Sequence, residues 1–152
     1  MTIRERLKEL GIELPEPAKP VASYLPFVRT GNLISVSGQV SLSAGREFKG
    51  RVPDQVSLED AIAAARLCGI NILAQLSAAL DGDLGRVVRI VKLGWFVNCT
   101  PDFTDHPRVI NGASDLMAEV FGEAGKHSRA AVGVSSLPLG VTVEVDALVE
   151  VA

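Results

Sequence analysis

The stretch Ser128–Val151 reads SRAAVGVSSLPLGVTVEVDALVEV, and its alternation decides the fold. In its second half Val141, Val143, Val145, Ala147, Val149 and Val151 recur at every other position, the period of a strand with one face on a core. Its first half, Arg129 to Ser135, reads as a shorter strand, and Pro138 and Gly140 supply the turn between them. Sorting by that period puts Ala130, Val132 and Val134 with the core set. Arg129, Ala131, Gly133 and Ser135 then fall on the opposite face with Thr142, Glu144, Asp146 and Leu148.

Working back toward the N-terminus, Pro107 suits the first turn of a helix whose stripe is Val109, Ile110, Ala113, Met117, Val120 and Phe121, stopping around Gly122 to Gly125. Arg86 to Asn98, rich in Val and Ile, is a long strand. Before it lies the longest helix, capped by Ser57, with Glu59 and Asp60 in its first turn and an end near Asp81-Gly82. Leu33 to Val40 alternates as a strand, with Ile34, Val36 and Val40 toward the core and Ser35, Ser37 and Gln39 away from it. Ser43 to Gly50 gives a turn and a weaker strand. Thr2 and Glu5 fit a capping box for a short first helix that ends at Gly11, and Pro15, Pro17 and Pro20 make the following segment an extended arm.

The expected organisation is residues 1–20 as a helix and proline-rich arm, then one domain over residues 21–152. The order strand, strand, helix, strand, helix, strand, strand implies an α+β fold: a mixed sheet, two βαβ-like crossovers with hairpins at either end, and both helices on one face.

With 152 residues there is enough chain for one core. A net charge of −3 with scattered Lys and Arg argues against nucleic acid as a partner. Met1 to Gly11 is charged rather than apolar, and no uninterrupted run long enough to span a bilayer stands out, so no membrane partner and a soluble cytoplasmic protein are expected. Cys68 and Cys99 belong to no CxxC or Cys/His cluster; reduced thiols and no metal are expected.

The second sheet face carries small and polar groups where a solvated face would show long Lys and Glu chains, which suggests a subunit contact with a site at its rim. Arg129 and Glu144 are the groups there that could do chemistry. A guanidinium offers a planar fork to a carboxylate, and a carboxylate can orient or deprotonate a water. The two could equally pair with each other as a salt bridge.

The whole stretch Ser128–Val151 closely resembles the signature of the RidA/YjgF family of reactive-intermediate deaminases. Further segments carry the resemblance: Tyr24, Val28 and Gly31-Asn32; Ser37-Gly38-Gln39-Val40; Phe96-Val97; Asp102-Phe103; and Val109-Ile110-Asn111. It covers nearly everything from Tyr24 to Val151. It implies a chorismate-mutase-like α+β fold assembled as a homotrimer, with three clefts between neighbouring subunits. Arg129 would bind a substrate carboxylate, Glu144 would position the hydrolytic water, and Tyr24 would help enclose the ligand. Ser37 and Gly38 would supply wall and backbone contacts, and Asn111 would be a further site residue. No cofactor is implied, since a protonated imine is already an electrophile.

Ala131 stands where many members have a cysteine, which removes any thiol-dependent behaviour and leaves its carbonyl as a hydrogen-bond acceptor for the substrate nitrogen. The first helix and an insertion around Cys99 to Pro107 mark a longer side branch. Trp95 and Phe96 read as core or interface, His106 as a cap or surface residue, His127 as surface or cleft mouth, and Cys68 as buried and inert. Hydrolysis of 2-imino acids to 2-keto acids and ammonia is the leading expectation, with a non-catalytic binder of small carboxylates as the alternative. An endoribonuclease or translation-inhibitor activity fits less well, because a basic groove and a His pair suited to phosphodiester cleavage are lacking.

Overall fold

The computed structural model describes residues 1–20 and 22–152, and its element order begins with helix α1, Ile3–Glu9. The Thr2–Glu5 capping box forms as the sequence requires. Strands β1 (Phe27–Thr30), β2 (Leu33–Val40), β3 (Leu42–Ser43) and β4 (Arg46–Glu47) come next, then α2 (Leu58–Ala79), β5 (Val87–Asn98), α3 (His106–Phe121), β6 (Ser128–Val134) and β7 (Val143–Val151). Ser57 caps α2 by accepting from the Asp60 amide, and α2 ends where Asp81 and Gly82 take positive φ.

Five strands form one sheet in the order β1-β2-β7-β5-β6, and β3 pairs with β4 apart from it. β5 and β6 run parallel, joined through α3, and β7 is antiparallel to both β2 and β5. The α+β fold with helices on one face is as expected, with two differences in the strands. β1, absent from the sequence reading, is a four-residue hairpin partner of β2 across Gly31, too short to show a period beside the prolines. The weak strand after Ser43 is the small β3–β4 ribbon. The final hairpin is also replaced: β7 inserts between β2 and β5, and the connection crosses the end of β5, where Asn98 donates to the carbonyls of Thr142 and Val141.

The core lies between the sheet and α2 with α3. Ile34, Val36, Leu93, Trp95, Val97, Val143, Val145 and Val149 face it, each at most 1% exposed. Gly69 on α2 is needed for helix contact, since Leu116 of α3 comes to 3.1 Å of where its Cβ would lie. α2 is long and apolar enough to cross a membrane, but 67% of its most apolar window is buried inside this fold, which makes it the core helix. Leu7 of α1 joins the core cluster. The arm is held where Gln75 of α2 donates to the Ala18 carbonyl at 2.8 Å.

Two face assignments reverse. Parallel pairing sets Arg129, Ala131 and Gly133 beside Leu93, Trp95 and Val97, so these residues turn toward α3, while Ala130 and Val132 are exposed on the other side. The equal polarity of Ala, Gly and Val in β6 hides this from the sequence. In β2 a register shift between Val36 and Gln39 swaps sides. Gln39 is buried toward Gln75, and Val40 pairs with Glu144. Thr142, assigned to the open face, is buried just ahead of β7.

Candidate functional site

The seven residues singled out in the sequence separate into two groups. Arg129, Asn111 and Ala131 lie where edge strand β6 meets α3. Arg129 Nη2 donates to Asn111 Oδ1 at 2.8 Å, and Nη1 donates to Ser114 Oγ at 3.0 Å. Asn111 and Ser114, three apart on α3, share one helix face and grip the guanidinium together. Both partners are neutral oxygens. Among the described residues Arg129 forms no ion pair, and three of its five N–H donors stay outside these bonds. Ala131 is half-buried against the core cluster and faces α3 beside Arg129.

Glu144, Ser37, Gly38 and Tyr24 belong to the uncovered face. The expectation that Arg129 and Glu144 share a face is therefore corrected: the β5–β6 register sends Arg129 to the helix side, and Glu144, between buried Val143 and Val145, points the other way. Nor do they pair as a salt bridge. Glu144 lies against Gly38, where an added Cβ would meet its Cδ and Oε1 at 3.0 Å. Burial raises the Glu144 carboxyl above its ordinary pKa, and the Asp146 charge adds to the rise. Ser37 straps the preceding segment: its Oγ donates to the Leu25 carbonyl at 2.6 Å and its amide to Pro26 at 2.9 Å. That strap sets the exposed Tyr24 and Leu25 beside this face.

Three residues matter more than the sequence suggested. Ser114 was not singled out; its signal is the i+3 spacing from Asn111. His127, read as surface or cleft mouth, sits 3.0 Å from Ser114 Oγ through Nε2. His106 is neither cap nor free surface residue: it packs edge-on against Phe103, and its Nε2 is 3.5 Å from Cys99 Sγ. Gly133 has no side chain because Cys99 Sγ and His106 Nε2 occupy that space, each 2.6 Å from an added Cβ. Burial raises the Cys99 thiol above its ordinary pKa, and raises buried Cys68 much further. Trp95 is core, as expected.

Among the described residues, no three of His, Cys, Asp and Glu are placed to hold a metal ion. A groove of about 1200 Å³ runs between α1 and the turn after α2, lined by Arg4, Lys8, Asp81 and Asp83 among others; none of the seven residues lines it.

Residues 4–151 match the family described as "YjgF/chorismate_mutase-like, putative endoribonuclease". The chain belongs to this family. The chain is 47% identical over 150 residues to Protein TCP17 of Trypanosoma cruzi, covering 97% of this chain and 93% of that one. A crystal structure of a protein of unknown function from Agrobacterium tumefaciens superposes with a TM-score of 0.92 at 49% identity, covering 99% of this chain and 92% of the other. More distantly, a protein of Dermatophagoides farinae named 2-iminobutanoate/2-iminopropanoate deaminase is 23% identical over 140 residues, covering 91% of this chain and 93% of its own.

Proposed function

We propose that the protein hydrolyses small 2-imino acids to 2-keto acids and ammonia in the cytoplasm, in clefts between the subunits of a homotrimer. The observation that carries this reading is the Arg129 guanidinium, braced on one edge by two neutral oxygens and paired with no carboxylate. A cation held this way is preorganised for an incoming acid group, because no internal pair must break first. Membership in the family, with a relative named as an imine deaminase, supports the reaction class.

Arg129 grips the substrate carboxylate in this scheme, and Glu144 of a neighbouring copy holds a water against the C=N carbon. The water oxygen bonds to that carbon as Glu144 takes its proton. The carbinolamine nitrogen then receives a proton, and the C–N bond breaks with its electron pair leaving on ammonia. The carbinolamine hydroxyl loses its proton to leave the 2-keto acid. Tyr24, Ser37 and Gly38 wall the Glu144 side; Asn111 and Ala131 belong to the Arg129 side.

Freshly generated 2-iminopropanoate, followed by its disappearance, tests this. The wild-type chain accelerates hydrolysis and Arg129→Ala does not. Pyruvate binding without acceleration would replace the reading with a carboxylate-binding protein, and absence of both would end it. RNA cleavage fits less well: both histidines are tied to protein partners, His106 beside Cys99 and His127 beside Ser114 and Gly125.

A further inference from the structure

Behind Arg129 runs a chain of hydrogen bonds whose direction is fixed from one end. The Gly125 carbonyl can only accept, and His127 Nδ1 lies 2.7 Å from it, so Nδ1 carries the proton. In the neutral ring Nε2 is then a bare acceptor, 3.0 Å from Ser114 Oγ. Ser114 has one proton to give and must give it there, which leaves only its lone pairs toward Arg129 Nη1, 3.0 Å away. Arg129 Nη1 can only donate, so the other end of the chain agrees with this direction.

The origin of the chain is rigid. A side chain at Gly125 would overlap the Met117 backbone oxygen, so this buried glycine is seated directly on α3. The relay therefore starts and finishes on one helix: Gly125 against the Met117 backbone, with Ser114 and Asn111 one and nearly two turns earlier.

We infer that His127 and Ser114 are positioning residues, which lock one edge of the Arg129 guanidinium so that its remaining donors face the ligand carboxylate. The inference rests on the function proposed above for its kinetic consequence, but the relay itself is a property of the fold. Because a carboxylate is held alike in ground and transition states, loosening its clamp raises KM and the pyruvate dissociation constant while kcat stays nearly constant.

The test combines NMR with ligand binding. In ¹⁵N-labelled wild-type protein the His127 imidazole is expected to show the Nδ1–H tautomer, with Nε2 shifting in Ser114→Ala. His127→Ala and Ser114→Ala are expected to weaken pyruvate binding and raise KM on the order of tenfold, with kcat within about twofold. His127→Gln, whose amide can still accept from Ser114, recovers most of the lost affinity, and this separates lost positioning from a misfolded site. An Nε2–H tautomer, unchanged affinity in His127→Ala while Arg129→Ala abolishes binding, or no recovery in His127→Gln would each overturn the inference. If wild-type protein neither binds pyruvate nor turns over the imine, the proposed function fails, and the tautomer still decides whether the relay exists.

Discussion

Arg129 and Glu144 leave one sheet on opposite faces: Arg129 is in register with the buried Leu93 and reaches Asn111, whereas Glu144 is in register with Phe96 and lies against Gly38. A site that uses both groups draws them from two copies of the chain. β6 is an edge strand, so Arg129 stands at the border where a second copy would meet the first. This separation supports a site shared between copies; the number of copies in the proposal comes from the family resemblance alone.

Gly38→Ala tests the Glu144 side without touching a charge. The new methyl would lie 3.0 Å from the Glu144 carboxyl, and the end of a flexible side chain can move away, so the fold is little disturbed. Thermal unfolding should stay within a few degrees of wild type. Hydrolysis of 2-iminopropanoate should drop on the order of ten- to a hundredfold, since small misplacements of a reacting group are costly. Full activity would show that the position of Glu144 is immaterial.

The acid limb of activity should depend on Asp146. Burial first, and the Asp146 charge second, raise the Glu144 pKa, so its base form is lost as pH falls through that raised value. Asp146→Asn removes the second cause, and the limb of kcat/KM moves to lower pH. Stability runs with the opposite sign. A carboxyl with a raised folded pKa favours folding below its unfolded pKa and loses that contribution as pH rises through the folded value. Glu144→Gln is therefore expected to melt higher than wild type at neutral pH, with the gap shrinking in acid; a gap that widens in acid would contradict the assignment.

Most of the fold was legible because period and punctuation agreed. Ser57, Asp81-Gly82 and Pro107 marked the ends of α2 and the start of α3, and the valines of β7 could face only a core. SRAAVGV has no decisive apolar side, so the facing of β6 is set by the parallel register with β5, a long-range fact. The bulge that buries Gln39 is likewise a pairing event and leaves no mark in the alternation of LISVSGQV. Arg129 stands out from the face sorting, though on the wrong face, and Asn111 from the family likeness. Ser114 and His127 were not joined to them because their link is tertiary.

Gln75 latches the arm that leads to Tyr24. It is 1% exposed, and its amide donates to the Ala18 carbonyl and, at 3.4 Å, to Gln39 Oε1. Gln75→Leu keeps the helix but leaves the buried Gln39 oxygen unpaired, at an expected cost of about 1–3 kcal/mol in chemical denaturation. Limited proteolysis within residues 13–20 should accelerate more than cleavage elsewhere in the chain. Uniform acceleration across the chain would mean that the arm is held by other contacts.

The two-chain site is tested most directly by complementation. Arg129→Ala and Glu144→Gln are each expected to be inactive alone on 2-iminopropanoate. Unfolded together in equal amounts and refolded into mixed trimers, they should regain about a quarter of wild-type activity, the share of clefts that pair an intact Arg129 with an intact Glu144 from its neighbour. Mixed trimers with no more activity than the separate variants would contradict a site shared between subunits.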